Sequence, residues 1–142
     1  MSSDSLITPD LIQAYLETHY LVGGDLPMTL KVGLFSSALA NLHKTFHVEC
    51  SVFTTAFNPF SCVVDDDINI ARQALLKQDL LEQGLIFIEG IGRHPSGNWP
   101  GEPSLLVLGV PLKAAKNLGT RYEQNAVIWN GLDAVPQLML LR

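Results

Sequence analysis

The chain is poor in the residue types that announce most familiar chemistries. It has only two cysteines, Cys50 and Cys62, and neither belongs to a CxxC pair. A disulfide framework and a thiolate metal knuckle are therefore excluded as organising devices, and both thiols are expected reduced. Charged residues make up 16% of the sequence, and the 9 basic residues are outnumbered by 14 acidic ones, giving a net charge of −5. With no cluster of Lys or Arg to neutralise phosphates, nucleic acid is not an expected partner. No apolar run reaches the ~18 residues of a membrane span, so no membrane partner is expected. Met1-Ser2-Ser3-Asp4-Ser5 lacks the basic and apolar regions of a signal peptide. These absences predict a cytoplasmic chain.

Motif chemistry is equally sparse. No GxSxG elbow precedes a helix, and no cysteine has an evident histidine partner, which leaves no named nucleophile. Gly90-Ile91-Gly92 follows a strand pattern but lacks the third glycine and the helix of a dinucleotide fingerprint. His43 and His47 have i, i+4 spacing, yet the helix is expected to end before His47, which takes them off a common face. The acids Asp65, Asp66 and Asp67 have a sufficient explanation in the positive end of a helix dipole. Neither a metal nor a cofactor is predicted.

What is present is apolar material. Hydrophobic residues are 47% of 142, enough for one ordered core, and no linker or repeat divides the chain. A single domain over 1–142 is expected, with residues 1–7 as a flexible tail. Thr8-Pro9-Asp10 reads as a helix start, and that helix is expected to run to Gly23-Gly24. Alternation at Leu30, Val32 and Leu34 predicts a strand, and Ser36 or Ser37 then caps a helix carrying Ala38, Leu39 and Leu42. Residues 51–57 form a strand stopped by Asn58-Pro59. The longest helix follows the three aspartates, with Ala71, Ala74, Leu75 and Leu81 as its buried stripe and Gly84 as its stop. Residues 85–89 are a strand, and 90–103, with four glycines and three prolines, read as a loop. A strand at 105–110, a helix from Pro111 through Leu118, and paired strands at 126–129 and 137–141 complete the chain. The pattern predicts an α/β domain, with α+β as the alternative: a mixed sheet of five or six strands flanked by about four helices.

The polar residues gather where strands end. Thr55-Ala56-Phe57-Asn58-Pro59-Phe60-Ser61, Trp99-Pro100-Gly101-Glu102-Pro103-Ser104 and Gln124-Asn125-Ala126-Val127-Ile128-Trp129 are the three informative stretches. Together with Tyr15, Thr18, Tyr20, Asn69 and Arg72, they resemble the bacterial family catalogued as domain of unknown function 3293, over nearly the whole chain. Thr54 departs from the aliphatic residue of many members. The resemblance implies a shared fold and a common cleft, and it brings no established activity.

Two functions fit these residues. The first is a non-catalytic binding module in which Asn58, Asn69, Gln124 and Asn125 line an amide-rich cleft for a small polar or planar ligand, with Arg72 and Trp99 beside it. The second is a small hydrolase or lyase in which Glu102 serves as general acid or base. Plain structural uses stand beside both. Asn58 can bridge backbone groups at the strand end, Glu102 can pair with Arg72, and Trp99 can pack a glycine-rich loop. A homodimer through the apolar C-terminal strand Leu138-Met139-Leu140-Leu141 is a further expectation.

Overall fold

A computed structural model describes residues 5–97 and 101–142. Among them are four helices, α1 (Pro9–Glu17), α2 (Ser37–Thr45), α3 (Asp66–Glu82) and α4 (Leu112–Arg121). Seven strands accompany them: β1 (His19–Val22), β2 (Met28–Leu30), β3 (Ser51–Thr54), β4 (Phe87–Arg93), β5 (Glu102–Leu108), β6 (Ala126–Asn130) and β7 (Pro136–Leu140). They form one sheet in the order β2-β1-β4-β5-β3-β6-β7. Every neighbouring pair is antiparallel.

The class is α+β, and two expectations need correction: the sheet has seven strands rather than five or six, and it is antiparallel rather than mixed. Both differences have local causes. Thr18 ends α1 by turning its N–H and hydroxyl back onto the Ala14 carbonyl, at 3.0 and 2.7 Å. The Tyr-Leu-Val run beyond it is thereby released into β1 instead of prolonging the helix. Residues 90–93, assigned to a loop for their glycines, instead extend β4: all four pair with β1, and 90–92 pair with β5 as well.

The sheet is curled. Gly33 N–H donates to the Pro136 carbonyl (2.8 Å) and Ser36 N–H to the Ala134 carbonyl (3.0 Å), drawing the chain after β2 onto the start of β7 and the residues leading into it. Gly33 sits at φ 83°, a conformation that costs a residue without Cβ little. The concave face holds Tyr20, Val22, Leu30, Phe53, Leu106, Leu108 and Ile128, joined by Leu39 and Leu42 of α2. The convex face carries Val52, Leu105, Val107 and Val127 against Leu76 and Leu80 of α3 and Ala115 and Leu118 of α4. Strand alternation sorts these two sets, since successive side chains point to opposite faces. In β7, Leu138 packs on the concave cluster and Met139 on the convex one.

The stripe expected on α3 is also corrected. Leu75 and Leu81 are 64% and 62% exposed, and the buried residues are Asn69, Gln73, Leu76 and Leu80. Amides occupy the inward positions because the chain leaving β3 has lost its ladder partners and still needs them. Gln73 Oε1 accepts from Ala56 N–H (2.9 Å) and the Thr55 hydroxyl (3.2 Å). At the other end of the chain, the Ser5 hydroxyl donates to the Arg142 carbonyl (2.8 Å) and Ile7 is buried.

Candidate functional site

Beyond β3 the chain makes a tight polar corner. Asn58, Phe60 and Ser61 all have φ between 47° and 60°, a region that asparagine tolerates and phenylalanine rarely enters. Hydrogen bonds hold the corner: Phe60 N–H donates to the Glu123 carbonyl (2.7 Å) and Ser61 N–H to the Asn58 carbonyl (2.8 Å). Asn69 reaches Asn58 twice, accepting its N–H and donating to its Oδ1, both at 2.8 Å. Val64 N–H also donates to Asn58 Oδ1 (3.2 Å), and Asn58 Nδ2 donates to Glu102 Oε2 (3.1 Å). A chain of amides thus runs from α3 through Asn58 to the carboxyl of Glu102.

Register explains why a carboxyl stands there. Leu30, Tyr20, Gly92 and Glu102 lie in one row across β2, β1, β4 and β5, and Leu30 and Tyr20 belong to the concave cluster, so Glu102 faces inward too. Gly92 contributes no side chain to the row, and Gly90, two residues earlier on the same face, contributes none either. A Cβ on Gly90 would press on the Leu21 carbonyl oxygen at 2.3 Å and the Phe53 ring at 3.0 Å. At Gly92 it would meet nothing nearer than Thr18 at 3.8 Å. The two glycines leave room for the edge-to-face contact of Tyr20 and Phe53, with centroids 5.3 Å apart, and for open space beside Glu102.

That space is a cavity of about 210 Å³ between α1 and the end of the concave face. Leu11, Ala14, Tyr15 and Thr18 line it from the α1 side, and Phe53, Ile128 and Leu138 form an apolar floor. Glu102, Ser104, Asn58, Ser61, Gln124 and Asn125 contribute polar lining. Burial pushes the Glu102 carboxyl up to about 7, against the smaller opposite effect of the Asn58 hydrogen bond. Among the described residues Asn58 is its one hydrogen-bond partner.

The predicted site residues divide accordingly. Asn58, Glu102, Gln124 and Asn125 line the cavity; Asn69 stands behind Asn58. Gln124 Nε2 donates to the carbonyls of Phe57 (3.1 Å) and Tyr122 (3.2 Å), fastening the corner. Asn125 Nδ2 donates to the Tyr15 hydroxyl (3.0 Å) and Ser61 Oγ (3.3 Å), and its Oδ1 accepts from Arg142 (3.1 Å). Arg72 does not pair with Glu102. Its fork spans the Ala56 carbonyl (2.7 Å), the Tyr122 carbonyl (2.6 Å) and Glu123 (3.2 Å), clamping the same corner from outside the cavity. Trp99 lies outside the described residues. The inward glycines of β4 were missed by the sequence reading, although Ile88-Gly90-Gly92 at period two was a usable signal. His43 and His47 do not form a pair: α2 ends at Thr45, and His43 is buried with Nε2 2.8 Å from Ser51 Oγ.

A model of the family described as "Protein of unknown function (DUF3293)" matches residues 54–127, just over half the chain. The match takes in Asn58, Asn69, Arg72, Glu102, Gln124 and Asn125, and leaves Tyr15, Thr18 and Tyr20 outside. The curated proteins and the solved structures yielded no match. The chain belongs to the DUF3293 family.

Proposed function

We propose that this member of the DUF3293 family binds a small, mainly apolar molecule in the cavity under α1, with Glu102 as the polar anchor. The observation that carries the reading is the inward carboxyl of Glu102, which meets one neutral donor, Asn58, among the described residues. A buried carboxyl is stabilised by donors, and a ligand carrying one would complete its set. A volume of about 210 Å³ is below the roughly 300–1,000 Å³ of drug-sized sites, which suits one ring or a short chain. The amide groups have a different part in this reading. Asn58, Asn69 and Gln124 hold the corner against which the ligand rests, because their hydrogen bonds already go to protein.

A fragment screen followed by amide chemical shifts tests it. Binders should perturb Tyr15, Thr18 and Ser104, and Gly92→Val, which projects methyl groups into the cavity, should remove those perturbations. Binders that map elsewhere, or that ignore Gly92→Val, would sink the proposal.

The second reading, acid/base catalysis, is favoured by one observation: a carboxyl near 7 is partly protonated at neutral pH and is suited to giving or taking a proton. Incubating each binder with the protein and looking for a new product by mass spectrometry separates the two. Turnover lost in Glu102→Gln supports catalysis, and unchanged ligand supports binding alone.

A further inference from the structure

We infer that the ligand of this cavity is a small amine, held as its ammonium against the Glu102 carboxylate; the inference rests on the pocket reading above. The charge inventory of the walls carries it. Glu102 is the one acid lining the cavity, and no lysine or arginine lines it among the described residues. The other titratable lining groups are Tyr15, Tyr20 and His94. Tyr20 donates to the Tyr15 carbonyl (2.6 Å), and the Tyr15 hydroxyl shares a hydrogen with Ser61 Oγ (2.6 Å) while accepting from Asn125. His94 is engaged at the rim, with Nε2 3.0 Å from Glu17 Oε1 and Nδ1 2.8 Å from Ser96 Oγ.

The nearby cations are turned away. Arg72 is clamped to Glu123 and two carbonyls, Arg142 lies over the Phe60 ring at 4.0 Å and donates to Asn125, and Arg93 lies on the opposite face of β4 from Gly92. A carboxylate or phosphate entering this space would face Glu102 with no lysine or arginine among the described lining residues to offset it, and with His94 already turned to Glu17 at the rim. An ammonium would meet the carboxylate at one wall, with the rings of Tyr20 and Phe53 among the other lining groups.

Protons follow the same geometry. An ammonium requires the ionised carboxyl, so R–NH₃⁺ and HOOC–Glu102 become the ion pair R–NH₃⁺···⁻OOC–Glu102, and one proton passes to buffer. Because the free carboxyl titrates near 7, amine affinity should rise with pH up to that point and level above it.

Calorimetry on the intact chain with benzylamine, benzyl alcohol and benzoate tests the assignment. Benzylamine should bind at least about tenfold more tightly than benzoate and gain about tenfold between pH 6 and pH 8, the change expected for one coupled proton. Glu102→Gln should weaken benzylamine by at least about tenfold and leave benzyl alcohol within about threefold. Benzoate matching benzylamine, or benzylamine affinity flat with pH, overturns the assignment, and the pH series needs only the unaltered protein. Benzyl alcohol bound without benzylamine rejects the amine and keeps the pocket. None of the three bound, with other fragments mapping to the cavity, likewise rejects the amine. A cavity that takes no fragment at all removes the pocket reading itself.

Discussion

α1 and α2 are both nine residues long, both are capped by a hydroxyl, and both lie over an end of the concave face. Thr8 Oγ1 accepts from Leu11 N–H at 3.3 Å, and Ser36 Oγ from Leu39 N–H at 3.1 Å. Inward they differ. α2 buries Leu39, Leu42 and His43, and its end is closed by side chains: His43 and Asn130 both reach the Ser51 hydroxyl, at 2.8 and 3.1 Å. Burial lowers the His43 imidazole below its ordinary range. α1 buries no residue and is tied down mainly by polar contacts through Tyr15, Tyr20 and the Glu17–His94 pair. One end of the curled sheet is filled with buried side chains, Leu39 and Leu42 beside the His43–Ser51–Asn130 cluster, and supports the fold. The other is bridged, and space remains beneath the bridge.

The strongest break of this comparison is truncation at each end. Leu39→Ala removes a fully buried side chain and should cost about 2–5 kcal/mol, whereas Leu11→Ala, half-buried over the cavity, should cost about 1 kcal/mol or less. Urea unfolding measures both, and equal losses would mean that α1 is as integral to the core as α2.

Next in size is the pH dependence carried by Glu102. Its carboxyl is raised in the folded chain from 4.5 to about 7, so between those values the folded state holds a proton that the unfolded state has lost. Stability contributed by the neutral acid is therefore present below 4.5 and lost as pH rises through 7, by on the order of 3 kcal/mol. Glu102→Gln should remove this slope. A variant whose stability falls over the same range as the wild type would place the titration elsewhere.

Asn69→Ala leaves the Asn58 N–H and amide oxygen each short of a partner and should cost about 1–2 kcal/mol by thermal unfolding. If stability does not change, the amide chain is not what holds the corner. The smallest change in stability belongs to Gly92→Val, within about 1 kcal/mol, since the added Cβ meets only ordinary contacts. A large loss there would show that the cavity is more tightly filled than its volume implies.

The elements were legible where one local signal dominated. Ser36 capping α2, the aspartates opening α3 and Pro111 leading into α4 could each be read from a few residues. Seven strands were not legible, because Tyr20 to Val22 carry helix-compatible spacing until Thr18 ends the helix, and because glycines in β4 read as loop. The stripe of α3 misled for another reason. Its inward positions answer the backbone needs of residues 55–58, a tertiary demand that displaces Leu75 and Leu81 to the surface. At the site, Asn58, Glu102, Gln124 and Asn125 could be selected from the strand ends, and the family match covers all four. Which partner Glu102 has could not. Arg72 looked suitable by charge, and the register that sends it to Tyr122 and Glu123 appears only when the chain is folded.

The carboxyl of Glu102 is the most direct place to test whether the α1 end is a binding chamber. Its side-chain carbon can be followed by NMR across the acid and neutral range, without ligand and then with benzylamine. The structure predicts a midpoint near 7 in the free chain and a downward displacement when the amine is bound. A free-chain midpoint near the ordinary 4.5, unmoved by the amine, would contradict it.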